Sequence, residues 1–247
     1  MARLTLALYA LLSALNLTSA ATIYLCGDST MARGNGKIDG WGQHLGPLMT
    51  IPVVNKAIGG RSARSYTVEK RFDEVASAVK PGDYVVIEFG HNDGGGIQKN
   101  DNGRADCPGT GKETCQTTNA KGNRETVLTF QAYLVNAGKQ MIGKGAKVVF
   151  SSMTPNNVCE GGSCKYSGSR FGDMAKAAAK EVGEGASYVD HGGATGQEYI
   201  KMGSSKVNAL FPQDHTHTSP AGAKVVAETF VKAVVAERNV LAQFVKK

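Results

Sequence analysis

Long apolar stretches are scarce in this 247-residue chain. Residues 4–17 form one, behind Arg3 and ahead of the small residues Thr18, Ser19, Ala20 and Ala21. As helix those fourteen residues rise about 21 Å, short of a hydrocarbon core of roughly 30 Å. A charged start, a short apolar stretch and a small-residue exit read as a signal peptide over residues 1–20, the alternative being a buried first helix. With no second such run, no membrane span is expected. A Pro/Ser linker, a low-complexity tract and an internal repeat are also absent, so residues 21–247 read as one domain, ample for a sizeable core. The Gly/Asn/Asp-rich residues 94–123 read as an insertion loop within it.

Other absences narrow the chemistry. Basic residues are not gathered in blocks, which argues against a nucleic-acid arm. Neither the Cys107/Cys115 nor the Cys159/Cys164 interval is joined by a second Cys/His pair at zinc-ligand spacing. The single Asn-x-Ser/Thr sequon is at Asn16, inside the leader, so no N-glycan is expected on the mature chain. A monomer, exported from the cell, is expected.

What is present has a direction. The formal charge is +7, or +6 once Arg3 leaves with the leader. An exported basic protein concentrates near polyanions such as pectin, although a solvated basic surface with no partner has the same charge. In an oxidising compartment, Cys107 with Cys115 and Cys159 with Cys164 stand at spacings for local disulfides, both in loops. Cys26 is left over inside an apolar run and reads as a buried free thiol.

Short, nearly continuous apolar runs at 22–27, 52–58, 84–90, 147–153 and 187–190 read as strands buried on both faces. Helical patterns lie between them at 65–79, 124–142, 169–182 and 219–236, the last opening on Ser219-Pro220. This alternation implies an α/β fold with a five-stranded parallel sheet and helices on both faces. Right-handed crossovers then bring the strand C-terminal ends to one edge. Three polar turns should meet there: Gly27-Asp28-Ser29-Thr30, Gly59-Gly60-Arg61-Ser62 and Gly90-His91-Asn92-Asp93.

Ser29 follows a buried strand, as a nucleophile should, and needs a base within hydrogen-bond reach. Of five histidines, His217 is the candidate, because Asp214 three residues earlier can accept its Nδ1–H and hold the tautomer. His215 then points elsewhere. The backbone N–H groups of Ser29 and Gly60 and the side-chain amide of Asn92 are candidate oxyanion donors. Arg61 and Arg64 flank the glycine turn and can meet a carboxylate, or pair with scaffold acids instead.

These residues resemble the SGNH (GDSL-type) hydrolases in four blocks: Gly27-Asp28-Ser29, Gly60, Gly90-His91-Asn92-Asp93, and Asp214 with His217. The resemblance implies a three-layer αβα sandwich, flavodoxin-like, with no metal or cofactor required. Thr30 departs from the family's usual Leu. Thr30-Met31-Ala32, Asn55-Lys56-Ala57-Ile58-Gly59-Gly60-Arg61-Ser62, Glu88-Phe89-Gly90-His91-Asn92-Asp93-Gly94 and Phe211-Pro212-Gln213-Asp214-His215-Thr216-His217-Thr218 are similar to the rhamnogalacturonan acetylesterase branch. The Cys107–Cys115 bridge also resembles fungal members of that branch, whereas Cys159–Cys164 rests on spacing alone. By resemblance, the chain deacetylates galacturonate residues of an acidic plant cell-wall polysaccharide through a Ser-His-Asp triad and an acyl-enzyme. The alternatives are an acetylesterase on acetylxylan, a small-ester lipase, or a non-catalytic carbohydrate-binding protein on the same scaffold. A metal-dependent phosphohydrolase using Asp28, Asn92, Asp93 and His217 is a further one.

Overall fold

In a computed structural model of the chain, residues 20–97, 101–119 and 122–247 are described. The expected leader therefore lies outside the described residues. Five strands form one parallel sheet: β1 (Ile23–Gly27), β2 (Val53–Asn55), β3 (Tyr84–Glu88), β6 (Lys147–Ser151) and β7 (Ala186–Val189), in the order β2-β1-β3-β6-β7. The register Ile23↔Tyr84 through Gly27↔Glu88 aligns the C-terminal ends of β1 and β3.

The period of two along each strand splits the core into two layers. Cys26, Val85, Ile87, Val148 and Phe150 face α1 (Ala63–Val68), α2 (Arg71–Ala78), α3 (Phe130–Ile142) and α4 (Arg170–Val182). Ile23, Leu25, Val86, Val149 and Val189 face α5 (His191–Met202), α6 (Ser204–Asn208) and α7 (Pro220–Ala236). The outcome is the expected three-layer α/β sandwich. α7 begins as its sequence dictates: Ser219 accepts the Gly222 N–H, and Pro220 fills a position whose N–H has no helical partner. Its Phe230 stacks on the fully buried Trp41 at 4.8 Å.

Three expected elements come out differently. The pattern over 124–142 is not one helix. Residues Arg124–Leu128 form β5, paired antiparallel with β4 (Thr114–Thr118), and the helix starts only after Thr129, which caps it by accepting the Ala132 N–H. Exposure alternates along β4, so the hairpin carries one outward face rather than the two buried faces of the main sheet. Residues 94–123 are thus not wholly loop. The helix expected over 65–79 is broken by Lys70, at φ 64°, and its first part starts earlier, at Ala63, through a reciprocal Ser62/Ser65 capping box. α5 and α6 answer no sequence pattern singled out above, because the Gly-rich start of α5 masks any apolar stripe. Both disulfides form, Cys107–Cys115 and Cys159–Cys164, and Cys26 is a buried free thiol.

Candidate active site

The turn after β1 is built by close approach. A Cβ on Gly27 would lie 2.8 Å from the Glu88 carbonyl oxygen, so a side chain there would push β1 from β3. Asp28 is buried and its Oδ1 accepts from both the N–H and the hydroxyl of Thr30, at 2.9 and 2.8 Å. This Asx turn presents Ser29 at the sheet edge. Burial drives the Asp28 carboxyl upward, against the pull of His91 and Thr30.

The C-terminal loop supplies the imidazole. Asp214 Oδ1 accepts the backbone N–H groups of Thr216 and His217, each at 2.7 Å. Its Oδ2 lies 2.8 Å from His217 Nδ1, and His217 Nε2 lies 2.8 Å from Ser29 Oγ. The contact spans 188 positions of chain. Partial burial raises the Asp214 carboxyl, but the His217 backbone and ring and the Thr216 N–H outweigh it and hold the group down at about 2. An ionised carboxylate fixes Nδ1 as the protonated nitrogen and leaves the Nε2 lone pair facing the hydroxyl. Ser29, Ala32, Arg33, Asp39, Gly59 and His217 line an open cavity of about 310 Å³.

The glycine turn approaches Ser29, where a Cβ added to Gly59 would lie 3.7 Å from the Ser29 Cβ, and the β3 turn is joined to it through Asn92. Gly60 has φ +74° with no heavy atom closer than 3.8 Å to an added Cβ, so conformation rather than space demands glycine there. Asn92 Nδ2 donates to the Arg61 carbonyl oxygen at 3.1 Å, which leaves its second N–H free. Its Oδ1 accepts from Arg104 Nη1 at 3.2 Å. Asp93 Oδ1 receives the Ala63 N–H at 2.7 Å and ties the β3 turn to α1. Beside it Asp106 is buried, and among the described residues neither of its oxygens has a hydrogen-bond partner, nor does Asp93 Oδ2. Burial pushes Asp106 up to about 8, and burial with Asp106 nearby lifts Asp93 well above the carboxylate range.

The candidate arginines part company. The Arg64 guanidinium is fully buried, bonded to Asp101 at 2.8 and 2.9 Å, to Glu125 at 2.8 Å and to the Ala105 carbonyl at 2.8 Å. It belongs to the scaffold and is out of a sugar's reach, which corrects its candidacy as a substrate contact; the pairing alternative is the observed one. Arg61 is half-buried, held by Glu69 and by the Gly59 carbonyl oxygen. The other histidines make no hydrogen bond to Ser29 among the described residues: His91 acts on Asp28, His44 pairs with Asp39, and His215 is exposed, 4.0 Å from Glu160. His191 is buried, with Glu88 on Nδ1 and the Val226 carbonyl on Nε2. Sequence reasoning missed Arg104. It lies in a segment without periodicity, where nothing marks which basic residue turns inward. Among the described residues, no group of three or more His, Cys, Asp or Glu is arranged to hold a metal ion.

Comparison with known proteins places this geometry in context. Residues 25–225 match the model of the GDSL-like Lipase/Acylhydrolase family. A rhamnogalacturonan acetylesterase of Emericella nidulans is 51% identical over 224 residues, covering 91% of this chain and 89% of that protein. The rhamnogalacturonan acetylesterase RhgT of Bacillus subtilis is 28% identical, covering 86% and 88%. Among solved structures, protein YxiM of Bacillus subtilis superposes with TM-score 0.70 at 22% identity, covering 90% of this chain and 58% of that one. A mutant of Axe2, an acetyl-xylooligosaccharide esterase of Geobacillus, superposes with TM-score 0.55 at 16% identity, covering 87% and 94%. The two structural likenesses concern the fold.

Proposed function

The chain belongs to the GDSL-like lipase/acylhydrolase family and is a carboxylic ester hydrolase, and from that premise we propose that it is a secreted serine acetylesterase acting on acetylated rhamnogalacturonan. The 2.8 Å approach of His217 Nε2 to Ser29 Oγ, with Asp214 on the opposite ring nitrogen, carries the reading. The substrate is inferred from the half-identical relative of that activity.

In the proposed reaction, Ser29 Oγ attacks the acetyl carbonyl carbon while His217 Nε2 takes the hydroxyl proton. The carbonyl oxygen becomes an oxyanion, received by the N–H groups of Ser29 and Gly60 and the free amide N–H of Asn92. The C–O bond to the sugar breaks, and the sugar oxygen leaves with the proton from His217. A water, deprotonated by the same nitrogen, attacks the acetyl carbon of acetyl-Ser29; the bond to Oγ breaks, Oγ takes that proton back from His217, and acetate leaves. Asp214 stays ionised throughout and stabilises the imidazolium.

The test is acetate release from acetylated rhamnogalacturonan by the wild type and by Ser29→Ala. Release by the wild type and its loss in the variant is the expected outcome. A variant that still releases acetate would sink the mechanism. Faster release from acetylated xylan than from rhamnogalacturonan would sink the substrate.

A further inference from the structure

Three arginines near the glycine turn are matched by acids among the described residues. Arg61 is taken by Glu69, Arg64 by Asp101 and Glu125, and Arg71 by Glu69 and Glu74. Arg104 has no carboxylate partner among the described residues, and its hydrogen bonds are made by Nη1 alone, to Asn92 Oδ1 at 3.2 Å and the Gly60 carbonyl oxygen at 3.5 Å. A guanidinium carries five N–H donors in a planar fork. Nε and Nη2 therefore remain as the edge suited to a carboxylate.

That side chain lines an open groove of about 380 Å³, together with Gly60, Arg61, Glu69, Asn102 and Glu125. The groove meets the Ser29 cavity at the Gly59-Gly60 turn, one glycine lining each. The two acids that face it are already engaged, Glu69 by Arg61 and Arg71, and Glu125 by Arg64. A chain of sugars with its acetyl group at Ser29 would run into this groove, past a guanidinium that has no acid partner among the described residues.

We propose that Arg104 forms a carboxylate-binding subsite in this groove and receives a uronate of the acetylated polymer beside the oxyanion donors. The inference deepens the reading of an acidic polysaccharide substrate and rests on it. Nη1 on Asn92 fixes the guanidinium, so the carboxylate meets a cation already oriented.

The experiment compares acetylated rhamnogalacturonan oligomers with free carboxylates against the same oligomers methyl-esterified, for wild type and Arg104→Gln. Loss of one charge-assisted contact corresponds to roughly tenfold to hundredfold in kcat/KM. The wild type should prefer the free acid by about that factor, and Arg104→Gln should bring the preference close to one. Any effect of the variant on Asn92 acts on both substrates and cancels in the ratio. An equal preference in both proteins overturns the subsite. If the variant fails to fold, the wild type alone decides, since equal rates on the two oligomers also overturn it. Absence of acetate release from either oligomer by the wild type would instead overturn the substrate reading on which the subsite depends.

Discussion

Single side chains carry most of the chemistry proposed here, and their consequences separate cleanly. Asn92→Ala removes one of the three proposed oxyanion donors and should lower kcat about 10²- to 10³-fold while KM changes little, a split read by steady-state kinetics. Asp106 governs stability instead. Its folded carboxyl is pushed up to about 8 from an ordinary value of 3.8. The native state therefore keeps a proton that the unfolded chain releases, and stability falls as pH rises from about 4 to about 8. Asp106→Asn should flatten that slope, as measured by urea midpoints at the two ends of the window. Arg64 is buried between two carboxylates, and Arg64→Met should cost about 3–5 kcal/mol in urea unfolding, because Asp101 and Glu125 stay behind unpaired. At this scale the sequence was informative wherever chemistry restricts the residue type. Ser29 and the Asp214/His217 pair stand out because a hydroxyl after a buried strand and an acid three residues before a histidine have few other uses together. Arg61, Arg64 and Arg104 look alike on paper. Only burial and partners tell the scaffold arginine from the one facing the groove.

Among elements, the turn between β1 and the Trp41–Gln43 turn has the least room. A Cβ on Gly40 would sit 2.1 Å from the Ala32 carbonyl oxygen, a backbone atom that cannot swing aside. Gly40→Ala should cost at least about 1–3 kcal/mol by thermal or urea unfolding. It should lower kcat as well, because the same turn carries Ser29. The five strands of the main sheet were legible since burial on both faces forces continuous apolar runs. The β4–β5 hairpin was not, because Arg124 to Leu128 is three polar residues followed by Val127 and Leu128, which join the apolar pattern of the helix just after them without a visible break. Lys70 illustrates another limit, since a lysine at φ 64° has no marker in the sequence and yet separates α1 from α2.

Over the whole molecule, the excess of basic residues gives the chain a formal charge of +7. Attraction to an acidic polymer acts over distances screened within about 10 Å at 0.1 M salt. Raising the ionic strength should therefore lower kcat/KM on acetylated rhamnogalacturonan and leave hydrolysis of a small neutral acetate ester nearly constant, which parallel assays would read. The layered α/β architecture was legible in outline because strand and helix periods differ. The insertion between β3 and α3 was legible as such, with its Cys107–Cys115 bridge, whereas its placement was not, because that is set from outside the segment by Arg64 on Asp101. The His217–Ser29 contact also has a temporal meaning, since its members come from opposite ends of the chain. If the pair acts as proposed, the nucleophile emerges early in synthesis and lacks its base until the loop before α7 follows, 188 positions later. A fragment ending before His217 would then carry the hydroxyl without its imidazole, and should not attack esters.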